Sequence, residues 1–416
     1  MKYTMPSKIH GSAIAPASKS MMQRAVIAAA LAQGKSLISN PTYCDDALAA
    51  ISCAKKLGAR VRKAKGNLEI IGGSKPRGGV LYCGESGLCM RMLAPIAALF
   101  GKKFRLAGKG SLLSRDVSMI AEPLRKLGAA CSTNSGNPPI LVQGPLSGGE
   151  IEIDGSASSQ FLTGLLMALP LCPRDSVVSV KNLKSKPYIH MTLGLLRQFG
   201  ITVRHTPALD RFEIQGSQHY KAANYNVEGD WSGASFLLVA GAIAGRVEVS
   251  GLDVSSPQAD LAILDALRKA GANVLVNAAS GNVSVAKASL RGFELDASDC
   301  PDLFPPLVAL ACSCSGESVF SGAGRLLGKE SDRGLALEQE FRKLGADIKL
   351  EGGSMRVMGG KLRGGTASSH NDHRIAMALA VTALASEQGV RIKGEQCVSK
   401  SYPRFFHDLR ELGAKL

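Results

Sequence analysis

A chain of 416 residues is too long for one core of ordinary size, so two domains are expected. With 45% apolar and 20% charged residues it is not a disordered chain, and a net charge of +16 points to anionic partners. No dense Lys/Arg run is interleaved with aromatics and no zinc-finger spacing occurs, which argues against a nucleic-acid partner.

The N-terminal stretch "MKYTMPSKIHGSAIAPASKS" lacks the apolar core of a signal peptide, and no apolar run reaches membrane-spanning length. A cytoplasmic protein with no membrane partner is expected. The ten cysteines are scattered, several of them in apolar runs (Cys89, Cys172, Cys312, Cys314), and none forms a CxxC pair. That usage reads as buried reduced thiols rather than a disulfide framework or a metal site. Aromatics are only 5% against 46 glycines, so packed backbones must approach closely.

Along the chain one pattern returns six times: "AKKLGARV", "LRKLGAAC", "LRQFGITV", "LRKAGANV", "FRKLGADI" and "LRELGAKL". Each reads as the end of an amphipathic helix, a glycine suited to a left-handed C-cap, and the start of a strand. The glycines, Gly58, Gly128, Gly200, Gly271, Gly345 and Gly413, are spaced by 70, 72, 71, 74 and 68 residues. At the same period lie six segments apolar on every side, from "SMMQRAVIAAALAQG" to "HRIAMALAVTALAS", too short for a bilayer and so expected to be buried helices. Short strand-like pieces such as "GNLEIIG", "GEIEID", "FEIQG" and "RVEVSG" stand between them. The expected fold is α/β: six β-α-β-α-β-β units of about 70 residues, three per lobe, with helices inside and sheets outside.

The buried segments open on "SKS" (Ser18 to Ser20), "GESGLCMR" (Gly84 to Arg91), "SSQ" (Ser158 to Gln160), "EGDWSG" (Glu228 to Gly233), "DCPD" (Asp299 to Asp302) and "NDHR" (Asn371 to Arg374). Helix N-termini offer free N–H donors and the positive end of the dipole, hence anion sites. Capping accounts for the Ser and Asp residues but not for Lys19, Arg24, Arg91 and Arg374. In "KESDR", Lys329 and Arg333 are four apart, on one face of an expected first helical turn, where like charges repel. Such a pair suits an anion, with Glu330 held among the cations for proton transfer.

Taken in order, "ASKSMMQRA", "SSQFLTGLL", "KSKPYI", "VEGDWSGASF", "KESDR", "NDHRIAM" and "KSYPRFF" resemble the EPSP synthase family (3-phosphoshikimate 1-carboxyvinyltransferases) over essentially the whole chain. The resemblance implies two inside-out α/β lobes: residues 1–17 with 230–416, and residues 18–229, the site lying in the cleft between them. It implies transfer of the enolpyruvyl group of phosphoenolpyruvate to the 5-hydroxyl of shikimate 3-phosphate, by a monomer that needs no metal or cofactor. Carried over motif by motif, shikimate 3-phosphate meets Lys19, Ser20, Arg24, Ser158, Ser159, Gln160, Ser185, Tyr188, Asp302 and Lys329. Phosphoenolpyruvate meets Lys19, Gly87, Arg115, Gln160, Arg333, Arg374 and Lys400. Asp302 and Glu330 suit the proton transfers, with Lys19 sharing them and His373 supporting the site.

The chain departs from the usual family motif at Glu85, Leu88 and Met92, and has Asp116 where proline is common. Two rivals share the architecture or part of it. UDP-N-acetylglucosamine enolpyruvyltransferases carry a reactive cysteine in the loop matching "GKGSLLSRDV" (Gly108 to Val117), and none stands here. RNA 3′-phosphate cyclases need an ATP-binding loop, and no Walker-type loop is visible.

Overall fold

The computed structural model describes residues 1–73 and 75–416, a mixed α/β chain that divides into two compact units. One comprises Met1–Ser18 and Glu228–Leu416, the other Lys19–Val227. Among the described residues no helix is long and apolar enough to cross a membrane.

Among the described residues each unit carries three sheets, and five of the six have four strands in one order. In one of them Gly79–Tyr82 pairs parallel with Lys103–Ala107, which pairs antiparallel with Asn137–Gln143, and Ala130–Asn134 completes the edge antiparallel. A parallel pair requires a crossover, and here it is the buried helix Gly87–Ala97. The amphipathic helix then leads into the antiparallel hairpin, which gives the β-α-β-α-β-β unit its order. The sheets built on Ser176–Lys181 and Glu317–Ser321 repeat the pattern.

The remaining repeats are completed by strands from distant sequence. In Lys19–Val227 the last strand, Asn224–Asn226, pairs parallel with Gly34–Ser39 of the first repeat. In the other unit the N-terminal strand Ile9–Ile14 pairs parallel with Gly245–Ser250. In the final sheet Lys2–Thr4 pairs antiparallel with Val390–Lys393, which pairs parallel with Gly365–Ser368.

Burial follows the expected layering within each unit. Every residue of Trp231–Ala244 and of His373–Ala383 is buried. Strand Glu150–Asp154 alternates, with Ile151 and Ile153 buried and its charged residues exposed, as befits a sheet with one face in water. The six C-cap glycines have φ between 78° and 104°, where a side chain would strain the backbone. Small residues also set the helix spacing: a Cβ on Gly164 would fall 2.5 Å from the Met92 carbonyl of the neighbouring buried helix.

Candidate active site

Within Lys19–Val227 the first turns of three buried helices, Lys19–Leu31, Gly87–Ala97 and Gln160–Ala168, are tied into a ring. Ser86 caps its helix by accepting from the Cys89 N–H and donates to Gln23 Oε1 at 2.8 Å. Gln23 in turn donates to the Lys19 carbonyl at 3.3 Å. Arg91 Nη1 donates to Gln160 Oε1 at 2.9 Å and Nη2 to the Asp116 carbonyl at 2.8 Å. Arg24 closes the ring with Nη2 on Thr163 Oγ1 at 3.4 Å.

Arg24 is buried, and its guanidinium donates to neutral oxygens: Thr163 Oγ1, Thr192 Oγ1 at 3.0 Å and the Ser20 carbonyl at 2.9 Å. Burial lowers its pKa to about 10, so it stays a cation at neutral pH. Thr192 Oγ1 donates to the Tyr188 carbonyl, and the Tyr188 N–H donates to the Ser185 carbonyl, so this chain of bonds links Ser185 and Tyr188 to Arg24. Ser185 has φ 57° at the start of Lys186–Gln198. Ser158 Oγ accepts from the Gln160 N–H, and the Ser159 carbonyl from the Thr163 N–H.

Gly87 sits amid three of these groups. A Cβ there would lie 2.6 Å from Arg115 Nη1, 3.2 Å from Arg91 Nη1 and 3.5 Å from Gln160 Oε1. So Gly87, Arg115 and Gln160, all expected at phosphoenolpyruvate, are neighbours, joined by Arg91. Lys19 pairs with Asp46 at 2.9 Å.

The second cluster, in the other unit, is carboxylate-rich. Arg333, with no solvent exposure, donates Nε to Asp372 at 2.9 Å, Nη1 to Asp302 at 2.8 Å and Nη2 to Glu330 at 2.5 Å. Arg374 Nη2 reaches the other Asp302 oxygen at 3.0 Å and its Nη1 bonds Ser232 Oγ; Lys329 reaches Asp302 at 3.3 Å. Lys400 Nζ donates to the Asn371 carbonyl at 2.6 Å, and His373 is buried at the start of the same helix. Asp230 caps Trp231–Ala244 by accepting from the Ser232 N–H at 3.0 Å.

Helix Arg333–Lys343 begins at Arg333, capped by Asp332, so Lys329 and Glu330 precede it rather than share its first turn. Lys329 and Arg333 still face one group, because both reach Asp302. Desolvation would raise the partly buried Asp302, but the charges of Arg374, Lys329 and Arg333 outweigh that and hold it well below the usual carboxylate range. Burial lowers Lys329 despite Asp302 beside it. For Arg333 burial acts downward, and Asp372, Glu330 and Asp302 more than reverse it.

Sequence reading assigned no role to Gln23, Asp46, Ser86, Thr163, Thr192, Ser232, Asp260 or Asp372. Gln23, Ser86, Thr163, Ser232 and Asp372 lay inside quoted motifs, whereas Asp260 in "SPQAD" carries no local signal. It is buried, and its Oδ1 makes no hydrogen bond. Burial, with the negative charge of Asp302 adding and Arg374 opposing, pushes Asp260 up to about 7.

These clusters stand on a chain whose residues 3–409 match one family, described as EPSP synthase (3-phosphoshikimate 1-carboxyvinyltransferase). A 3-phosphoshikimate 1-carboxyvinyltransferase of Clostridium perfringens is 38% identical over 99% of this chain and 98% of its own length. One from Aeropyrum pernix is 39% identical over 99% and 95%. The solved EPSP synthase of Acinetobacter baumannii superposes with a TM-score of 0.83 at 26% identity, covering 100% of this chain and 99% of its own. The chain belongs to the EPSP synthase family.

Proposed function

We propose that the two clusters divide between them the work of the family's reaction, transfer of the enolpyruvyl group of phosphoenolpyruvate to the 5-hydroxyl of shikimate 3-phosphate with release of phosphate. The reaction protonates the donor's methylene carbon while the hydroxyl oxygen adds to the adjacent carbon. Loss of a methyl proton and of phosphate then restores the double bond. Both substrates are anions that repel in water, so cations must hold them together before chemistry begins.

In this reading Lys19, Ser20, Arg24, Ser158, Ser159, Gln160, Ser185 and Tyr188 take shikimate 3-phosphate, together with Asp302 and Lys329. Lys19, Gly87, Arg115 and Gln160 take the donor, together with Arg333, Arg374 and Lys400. Asp302, kept ionised by its three cations, accepts the proton of the 5-hydroxyl. Glu330 moves the proton at the methylene carbon, Lys19 shares proton transfer, and His373 supports the site. The observation that carries this division is the ionised Asp302 set among Lys329, Arg333 and Arg374. We also take the enzyme to be a cytoplasmic monomer; ten buried free cysteines support a reducing compartment.

The deciding assay incubates the protein with phosphoenolpyruvate and shikimate 3-phosphate and follows phosphate release, with UDP-N-acetylglucosamine as the control acceptor. Release with shikimate 3-phosphate alone is expected. Release only with the nucleotide sugar would overturn the reading.

A further inference from the structure

Three cysteines carried by different elements converge inside Lys19–Val227. Cys53 lies on the helix Asp45–Lys56, Cys83 follows the strand Gly79–Tyr82, and Cys89 is in the first turn of Gly87–Ala97. Their sulfur atoms all lie within 4.8 Å of one another, and all three side chains are fully buried. From this geometry we infer that Cys53, Cys83 and Cys89 form a binding site for a thiophilic divalent ion of the zinc or cadmium type.

The spacing nearly fits such an ion already. Three atoms no more than 4.8 Å apart admit a point no more than about 2.8 Å from each (4.8 Å divided by √3), against a zinc–thiolate distance of about 2.3 Å. Each sulfur therefore needs to move inward by at most about half an ångström. The sulfurs have only weak partners to give up, Cys53 to the Tyr82 carbonyl at 3.5 Å and Cys83 to the Leu81 carbonyl at 3.8 Å.

The charge balance favours a divalent ion. Three thiolates and one dication leave a single net negative charge, next to the positive N-terminal end of Gly87–Ala97 that Cys89 occupies. On binding, the three thiol protons leave to solvent, so affinity rises with pH. Cys83 and Cys89 bracket residues 84–88. A bound ion thus ties the segment carrying Gly87 to the helix carrying Cys53.

Cadmium is the probe, because thiolate coordination produces a near-ultraviolet charge-transfer band. Titrated into the reduced full-length protein, it should give that band with a break at one equivalent. Cys53→Ala, Cys83→Ala and Cys89→Ala should each weaken binding at least tenfold, and Cys172→Ala should not. Native mass spectrometry of the unsubstituted protein gives an independent reading, one added ion per chain. A folded protein that shows no band and no added ion overturns the site, and so does affinity unchanged by all three substitutions.

Discussion

The two helix-start clusters grow from one repeat pattern yet handle charge in opposite ways. In Lys19–Val227 the buried guanidinium of Arg24 reaches the Thr163 and Thr192 hydroxyls and the Ser20 carbonyl. In the other unit Arg333 and Arg374 meet Asp302, Glu330 and Asp372. A buried cation among dipoles keeps its net charge for an incoming anion, whereas a buried cation among carboxylates fixes those carboxylates as ions and sets which of them can move a proton. The repeat supplies the same helix-start scaffold in both units, and the residues around the arginines differ in the charge they set against them.

The sharpest way to break this contrast is Asp302→Asn. Removing the one carboxylate shared by Lys329, Arg333 and Arg374 should lower kcat by about 10²–10⁴-fold, with a much smaller change in KM for the donor. Steady-state phosphate release measures both. A variant whose defect lies wholly in KM would make Asp302 a binding group only.

Next comes a matched pair, Arg333→Ala and Arg24→Met. The first leaves three carboxylates around an absent counterion and should cost about 3–5 kcal/mol in urea unfolding. The second leaves only neutral hydrogen-bond partners and should cost about 1–3 kcal/mol. Equal costs would erase the distinction between the clusters. Arg62, paired with Glu69 on an outer strand, serves as the control: Arg62→Ala should leave turnover unchanged.

Asp260 sharpens the comparison through pH. Its pKa rises from 3.8 to about 7 on folding, so between those values the native state binds more protons than the unfolded one. Stability then falls as pH rises through that window, by at most about 4 kcal/mol from this group. Asp260→Asn mimics the protonated form. Unfolding free energies at pH 5 and pH 8 should show the variant gaining on the parent as pH rises, and a constant difference would refute the assignment.

The smallest effect is expected at Gly87→Ala. The added methyl would lie 2.6 Å from Arg115 Nη1 and must push that guanidinium aside. KM for phosphoenolpyruvate should rise about tenfold, since misplacing a positioning group by a fraction of an ångström weakens its contacts, while shikimate 3-phosphate affinity should hardly change. Equilibrium titration of the second substrate separates the two.

Much of the fold was legible along the chain because its signals are local. A left-handed glycine after an amphipathic helix and an all-apolar helix at a fixed period are each stated within a dozen residues, and both recur six times. The motifs also marked most of the candidate site, because helix starts concentrate the polar residues of otherwise apolar segments. The turn expected at Lys329 was misplaced by four residues. Asp332 caps the helix, and Lys329 and Glu330 lie ahead of it, held by contacts with distant residues.

By itself the sequence determined the repeat, its period, the burial of one helix per unit and the residue types available at each helix start. These follow from periodicity and backbone preference, which act over a few residues. Only the tertiary structure decided that the two N-terminal strands and Asn224–Asn226 complete sheets begun elsewhere, that Arg333 is enclosed by Asp302, Glu330 and Asp372, and that Asp260 lies buried beside them. It alone brought Cys53, Cys83 and Cys89 together. The energy of a buried charge or thiol depends on what surrounds it within a few ångströms, and some of those neighbours, Asp302 and Asp372 about Arg333 or Cys53 beside Cys83, come from segments tens of residues away.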